Sequence, residues 1–223
     1  MLRTDIIQML IDKFNYQSYL EIGIAEPEFN FMRINCKYKE CVDPYEPNIG
    51  NDCGYDPSIK KYIEDNILTY KMTSDEFFEM CPAEKKYDIV FIDGLHYEEQ
   101  VGKDIINSLK HLNPGGTIVV HDCLPETEEA QDENRHTLVW NGSVWKAIPQ
   151  LLKQGISYFT IDTDMGCGVI QYSGDVNSLY YPEKADYDFN MVFGSKTIRD
   201  SVMHVISTEE FLSANGLTFD ETK

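Results

Sequence analysis

The run Tyr87–Ile92 (YDIVFI) constrains this chain more than any other segment. A strand with almost no polar alternation is stable only where both faces of its sheet are covered, which happens in parallel sheets flanked by helices. The rest of the sequence fits that setting, because short β-rich runs alternate with helical stretches along most of its length. Further strands are predicted at Ser18–Ile24 (SYLEIGI), Glu40–Asp43 (ECVD), Ile67–Met72 (ILTYKM), Thr117–Val120, Ser157–Asp162 and Gly168–Tyr172. The last two read as a hairpin around Asp164-Met165-Gly166.

Helices fall between these runs. Ile6, Ile7, Leu10, Ile11 and Phe14 share one face of a helix over Asp5–Phe14, and Ile59, Tyr62 and Ile63 start another. Thr73-Ser74-Asp75-Glu76 is a helix start, with a hydroxyl cap and acids in the positive first turn. Tyr97–Leu112 places Val101, Ile105, Leu109 and Leu112 at helical spacing until Asn113-Pro114-Gly115-Gly116 stops it. Ser143–Leu152 reads as a helix, and the polar stretch 124–142 before it has no period, which marks a long functional or mobile loop. Asp186–Asn215 looks helical and lies outside the alternation. The expected fold is α/β: a Rossmann-like, doubly wound, mostly parallel seven-stranded sheet with a C-terminal helical appendage. The 223 residues divide into one domain over 1–175, with 1–16 as its N-terminal helix, and a tail over 176–223 that closes over the site or a partner subunit.

Lys and Arg number 19 and Asp and Glu 38, a net charge of −19. Such a charge repels phosphate backbones and anionic bilayers, so neither nucleic acid nor membrane is an expected partner. No apolar run approaches the roughly 18 residues that span a bilayer. The segment MLRTDIIQML lacks the pattern of a secretory signal, so a cytoplasmic location is expected. The six cysteines contain no C-x-x-C pair; reduced thiols are the expectation, with a zinc shared by Cys36, Cys41 and Cys53 as the alternative.

Ligands of open α/β sheets bind at the carboxyl ends of the strands. Four such ends carry acids here: Glu21-Ile22-Gly23, Asp43, Asp93 and His121-Asp122. Crowded acids repel one another, so folding alone does not select them. Asp43 follows Gly23 by 20 residues, the spacing at which nucleotide-binding sheets place a carboxylate for the ribose hydroxyls. A turn cap before Pro44 is the competing role. Gly23 would let the backbone approach a ligand closely.

Three blocks together resemble class I S-adenosylmethionine-dependent methyltransferases: Y-L-E-I-G (Tyr19–Gly23), Y-D-I-V-F-I-D-G-L-H-Y-E-E (Tyr87–Glu99) and L-N-P-G-G-T-I-V-V-H-D (Leu112–Asp122). They are most similar to the small bacterial branch with F-I-D-G-x-H and G-G-x-x-x-x-H-D signatures. Val144–Ile148 (VWKAI) and Asp164–Ile170 (DMGCGVI) look like its later helix and strand, so the resemblance covers residues 17–172. The chain departs from the family at Ala25, where a second glycine is usual, and at Glu26 and Glu28, which bring like charge toward the methionine carboxylate. The resemblance implies that Glu21 and Gly23 line the methionine and ribose portion, Asp43 the ribose hydroxyls, and Ser74-Asp75 the adenine amino group. Asp93 would lie below the transferable methyl.

His96 follows Asp93 by three residues, and a histidine suits a general base for a hydroxyl or amine acceptor. In related metal-dependent O-methyltransferases an acid after the fourth strand and an acid pair after the fifth hold a divalent cation. Asp93, His121 and Asp122 look similar, with an imidazole in place of one acid, so Mg²⁺, Mn²⁺ or Zn²⁺ is implied. Asp93, His96 and His121 are the candidate catalytic residues. The competing roles are a loop-carbonyl bond for His96 and a loop cap for Asp122. Trp140 is a candidate acceptor contact and Trp145 a helix anchor in the core. The expected reaction is methyl transfer to oxygen or nitrogen of a small molecule such as a sugar or natural-product intermediate, with a homodimer as a further expectation. The alternatives are a methyltransferase-like scaffold without catalysis, and a nicotinamide-dependent oxidoreductase lacking its G-x-G-x-x-G.

Overall fold

The computed structural model of the protein describes residues 1–45, 61 and 67–218. Its first helix, α1 (Arg3–Phe14), starts where Asp5 accepts a hydrogen bond from the Leu2 N–H at 2.7 Å, placing a carboxylate at the positive helix end. Ile6, Ile7, Leu10 and Ile11 are buried as the periodicity requires. Phe14, expected on the same face, is 42% exposed, because the helix reaches its last turn there and the ring stacks beside Tyr16 rather than on the sheet.

Seven strands form one sheet: β1 (Ser18–Ile22), β2 (Tyr38–Val42), β3 (Tyr87–Ile92), β4 (Leu112–Val120), β5 (Ser157–Ile161), β6 (Cys167–Gln171) and β7 (Val205–Ile206). Their order is β2-β1-β3-β4-β6-β5-β7. The first four pair in parallel, β6 is antiparallel to both β4 and β5, and β7 is parallel to β5. Further α-helices among the described residues are α2 (Ser74–Met80), α3 (Glu98–Lys110), α4 (Val144–Gln150), α5 (Phe189–Phe193), α6 (Lys196–Val202) and α7 (Thr208–Asn215).

The near-continuous apolar run of β3 is explained by its two faces. Val90 and Ile92 pack with Leu20, Ile118 and Val120 beneath Ile105 of α3 and Trp145 and Ile148 of α4. Ile89 and Phe91 point the other way, into a core with Tyr19, Val119, Ile7 and Leu10 of α1 and Phe211 of α7. Each fully buried aliphatic side chain contributes about 1.5–3 kcal/mol relative to exposure.

Two strand expectations are corrected. Residues 67–72 make a single parallel bridge, Tyr70 to Val42, instead of a strand. The Thr69 hydroxyl takes the Cys41 N–H at 3.2 Å, so a side chain displaces the ladder there. The seventh strand comes instead from the tail, where Val205 and Ile206 extend the opposite sheet edge beside Thr160 and Ile161. The tail is therefore not helical throughout. The helix expected from Ile59, Tyr62 and Ile63, and Cys53 of the zinc alternative, lie outside the described residues. Among the described residues no helix is long and apolar enough to cross a membrane.

Candidate active site

The carboxyl ends of β3 and β4 deliver Asp93, His96, His121 and Asp122 to one place. His121 Nδ1 lies 3.4 Å from Asp93 Oδ1 and 3.2 Å from Asp122 Oδ2. His96 Nε2 lies 3.5 Å from Asp93 Oδ1, and its Nδ1 lies 3.4 Å from Asp122 Oδ2. The His96 Nδ1–H donates to the Trp140 carbonyl at 3.1 Å, and the two rings stack with centroids 4.7 Å apart. That bond leaves Nε2 as the nitrogen that carries a lone pair when the ring is neutral. The loop-carbonyl role and the catalytic role expected for His96 are thus served by different ring atoms. Asp122 has φ 62°, a conformation costing a non-glycine residue about 1–3 kcal/mol, and such strain persists only where surrounding contacts enforce it.

Two further residues, unmarked by any motif, complete this group. Arg3, in the first turn of α1, places Nη1 3.1 Å from Asp164 Oδ2 and 3.3 Å from His121 Nε2, with Nε 3.9 Å from Asp93 Oδ2. Asp164 comes from the β5–β6 turn, where Asp164 (φ 47°), Met165 (φ 60°) and Gly166 (φ 86°) are successively left-handed. Arg3 follows α1 in space and Asp164 follows a hairpin; only the dipeptide Asp164-Met165 before a glycine hinted at a special turn.

The electrostatics follow from this crowding. Burial alone would raise the Asp93 carboxyl, but His121 and His96 hold it far below the carboxylate range. Burial opposes the charged form of His121, yet Asp93, Asp122 and Asp164 hold it well above the ordinary imidazole value. His96 is likewise raised against burial, by Asp93, Asp122 and the Trp140 carbonyl. Asp164 is held at about 2 by His121 and Arg3 in spite of burial.

A divalent ion is implied by the resemblance, and the residues present fit one. Among the described residues His121 Nδ1 meets no directed hydrogen bond; its contacts are ion pairs with the two carboxylate oxygens that flank it, at 3.4 and 3.2 Å. A nitrogen set between two carboxylate oxygens is a mixed donor set that suits a divalent ion. Asp93, His96 and Asp122 can also bring one ligand atom each within 4.8 Å of one another. A second such group, His121, Asp164 and Cys167, already has the Arg3 guanidinium beside it.

The expected cofactor residues are placed differently. The Asp43 carboxylate accepts from the Ile24 N–H at 2.9 Å and the Tyr45 N–H at 2.8 Å, so it caps a turn and fastens the loop after β1. Gly23, at φ 88°, leaves space that the backbone of Asp93 fills; a Cβ there would meet Asp93 O at 2.2 Å. Its glycine character serves the close approach of the β1 and β3 ends. Glu21 is 3% exposed, bonded by the Tyr19 hydroxyl and by Asn30 Nδ2, and burial pushes its carboxyl up to about 8. Ser74 and Asp75 both accept from Gln100 Nε2, and Asp75 pairs with Lys103 at 3.1 Å. Trp145 is fully buried, as a core anchor should be.

Known proteins resemble the chain in part of its sequence and in its fold. Residues 34–123 match the model of the family described as "Methyltransferase domain". A protein described as a caffeoyl-CoA O-methyltransferase from Staphylococcus aureus superposes with a TM-score of 0.51 at 19% identity, covering 75% of this chain and 81% of that one. The chain shares the Rossmann-like fold of that protein. Cofactor-bound Rv0187 from MTB gives a TM-score of 0.51 at 14% identity, covering 75% and 78% of the two chains. An O-methyltransferase from Bacillus cereus in complex with SAH matches at 0.48 and 14% identity, over 75% and 80%. No curated protein matches the chain by sequence.

Proposed function

We propose that this protein transfers the methyl group of S-adenosylmethionine to an oxygen or nitrogen of a small molecule, such as a sugar or natural-product intermediate. The observation that carries the reading is the convergence of His96 with Asp93, His121 and Asp122 at the carboxyl ends of β3 and β4. The methyltransferase fold and the family match over 34–123 support it.

Methyl transfer from a sulfonium is an in-line displacement, so the protein must orient the acceptor and remove its proton. His96 is the base: its Nδ1–H is committed to Trp140, which leaves Nε2, beside Asp93 Oδ1, to take the acceptor's proton. Asp93, His121 and Asp122 would hold a divalent ion. Such an ion, when bound, polarises the acceptor oxygen and lowers its pKa. Trp140, half-buried and stacked on His96, offers a face to the acceptor. Asp43, fixed by two backbone N–H groups, retains lone pairs for the ribose hydroxyls. Glu21, Gly23, Ser74 and Asp75 stay assigned to the cofactor side by resemblance.

The scaffold reading draws on one observation, the Gly23 space filled by the Asp93 backbone. Calorimetric titration with S-adenosylmethionine separates the two. Micromolar binding, followed by methyl transfer that EDTA abolishes and Mn²⁺ restores, is expected. Folded protein that takes up no cofactor at millimolar concentration sinks the enzyme reading.

A further inference from the structure

We propose that Asn141 is a positioning residue of the ion site, turning Asp122 so that one carboxylate oxygen is free for the cation; this rests on the ion-assisted reading above. Asn141 is fully buried, and its Nδ2–H donates to Asp122 Oδ1 at 2.7 Å. The other oxygen, Oδ2, is the one facing His121 Nδ1 at 3.2 Å and His96 Nδ1 at 3.4 Å. Among the described residues the amide is used at one end only, because Asn141 Oδ1 is buried without a partner there. Its donor is spent on Asp122.

The chemistry of the donor matters as much as its position. A lysine or arginine at this point would neutralise Asp122 and compete with a cation. A neutral amide orients the carboxylate and leaves its charge available, which is how hydrogen-bond donors behind a metal-binding group act. The amide itself is fixed from behind: the N–H groups of Asn141 and Gly142 both donate to the Ala130 carbonyl, at 2.9 and 3.0 Å. Gly142 lies so close to the turn after β3 that a Cβ would stand 2.1 Å from His96 O. The next residue donates to the same carbonyl, Ser143 N–H to His96 O at 2.9 Å, and the Ser143 hydroxyl accepts from Glu98 N–H at the start of α3. Trp140 and Asn141 are consecutive, so one short arm holds the base through the Trp140 carbonyl and the ion ligand through the Asn141 amide. The end of the long polar loop is thereby fastened to both reacting groups at once.

The test is Mn²⁺ titration of the full chain, followed by the electron paramagnetic resonance of the free ion, without methyl donor. Asn141→Leu keeps volume and removes the donor; Asn141→Ala removes the donor with less demand on space and serves if the leucine is not accommodated. Mn²⁺ binding 10- to 100-fold weaker than in the parent is expected. Asn141→Ser restores an O–H donor and should recover part of the loss, which a purely structural role does not predict. Parent-like affinity in the folded donor-less variants, or a serine variant no better than they are, overturns the role of Asn141 and leaves the ion reading standing. Absence of Mn²⁺ binding by the parent removes the ion reading and this proposal with it.

Discussion

At the ends of β3 and β4, each of two imidazoles lies within 3.5 Å of both of two acids, with Arg3 and Asp164 behind them. At the ends of β1 and β2, the Asp43 carboxylate accepts from two backbone N–H groups, and the nearby Gly23 is pressed against its neighbour strand. The first region is over-determined by charge, so its geometry resists single changes in position but not in chemistry. The second is a backbone construction, in which shape matters more than any one side chain. Under the proposed function, proton removal and ion binding would fall to the β3–β4 half and shape-based recognition of the methyl donor to the other.

The sharpest way to break this division is His96→Ala. Turnover should fall about 10²- to 10⁴-fold, the usual worth of a positioned acid or base, with little change in S-adenosylmethionine affinity by calorimetry. Equal losses in both quantities would mean that the two halves are not separable. Gly23→Ala tests the other half through shape: positive φ and backbone overlap should destabilise the fold by about 2–4 kcal/mol in urea titration, and an unchanged midpoint would show that the strand ends can part.

Glu21, beneath both halves, gives a pH test. Its folded value of about 8 lies above the ordinary carboxyl value, so the native state keeps a proton that the unfolded chain releases. This stabilisation is fully present below about pH 4 and is lost progressively as pH rises to about 8, a change on the order of a few kcal/mol. Glu21→Gln should flatten that decline; a variant with the parent's slope between pH 5 and 8 assigns it elsewhere. The smallest effect is expected from Asp43→Ala. Cofactor affinity should drop about tenfold, roughly 1.4 kcal/mol, with turnover at saturating cofactor retained. Undiminished affinity would reduce Asp43 to a turn cap.

Several parts of this site are legible along the chain because the chemistry lies next to the strand that presents it. His121-Asp122 and Asp93 end apolar strands, and His96 lies within one turn of Asp93. Asn141, Arg3 and Asp164 carry no such mark. Arg3 meets Asp164 across 161 residues of chain, and Asn141 meets Asp122 across 19 residues of loop without a period. The strand at 67–72 is mispredicted for a related reason: β-branched and aromatic residues give it strand character, but the Thr69 hydroxyl diverts the ladder. The two-residue β7 is too short to show any period.

Local pattern therefore determined the α/β class, the strand ends and the candidate base and ligands, because periodicity and strand termini are properties of neighbouring residues. Tertiary structure alone decided that Arg3, Asn141 and Asp164 surround them, that Gly23 serves strand packing, and that the tail completes the sheet. Those outcomes depend on contacts between distant segments, whose free energies exist only once the two cores have closed on either face of the sheet.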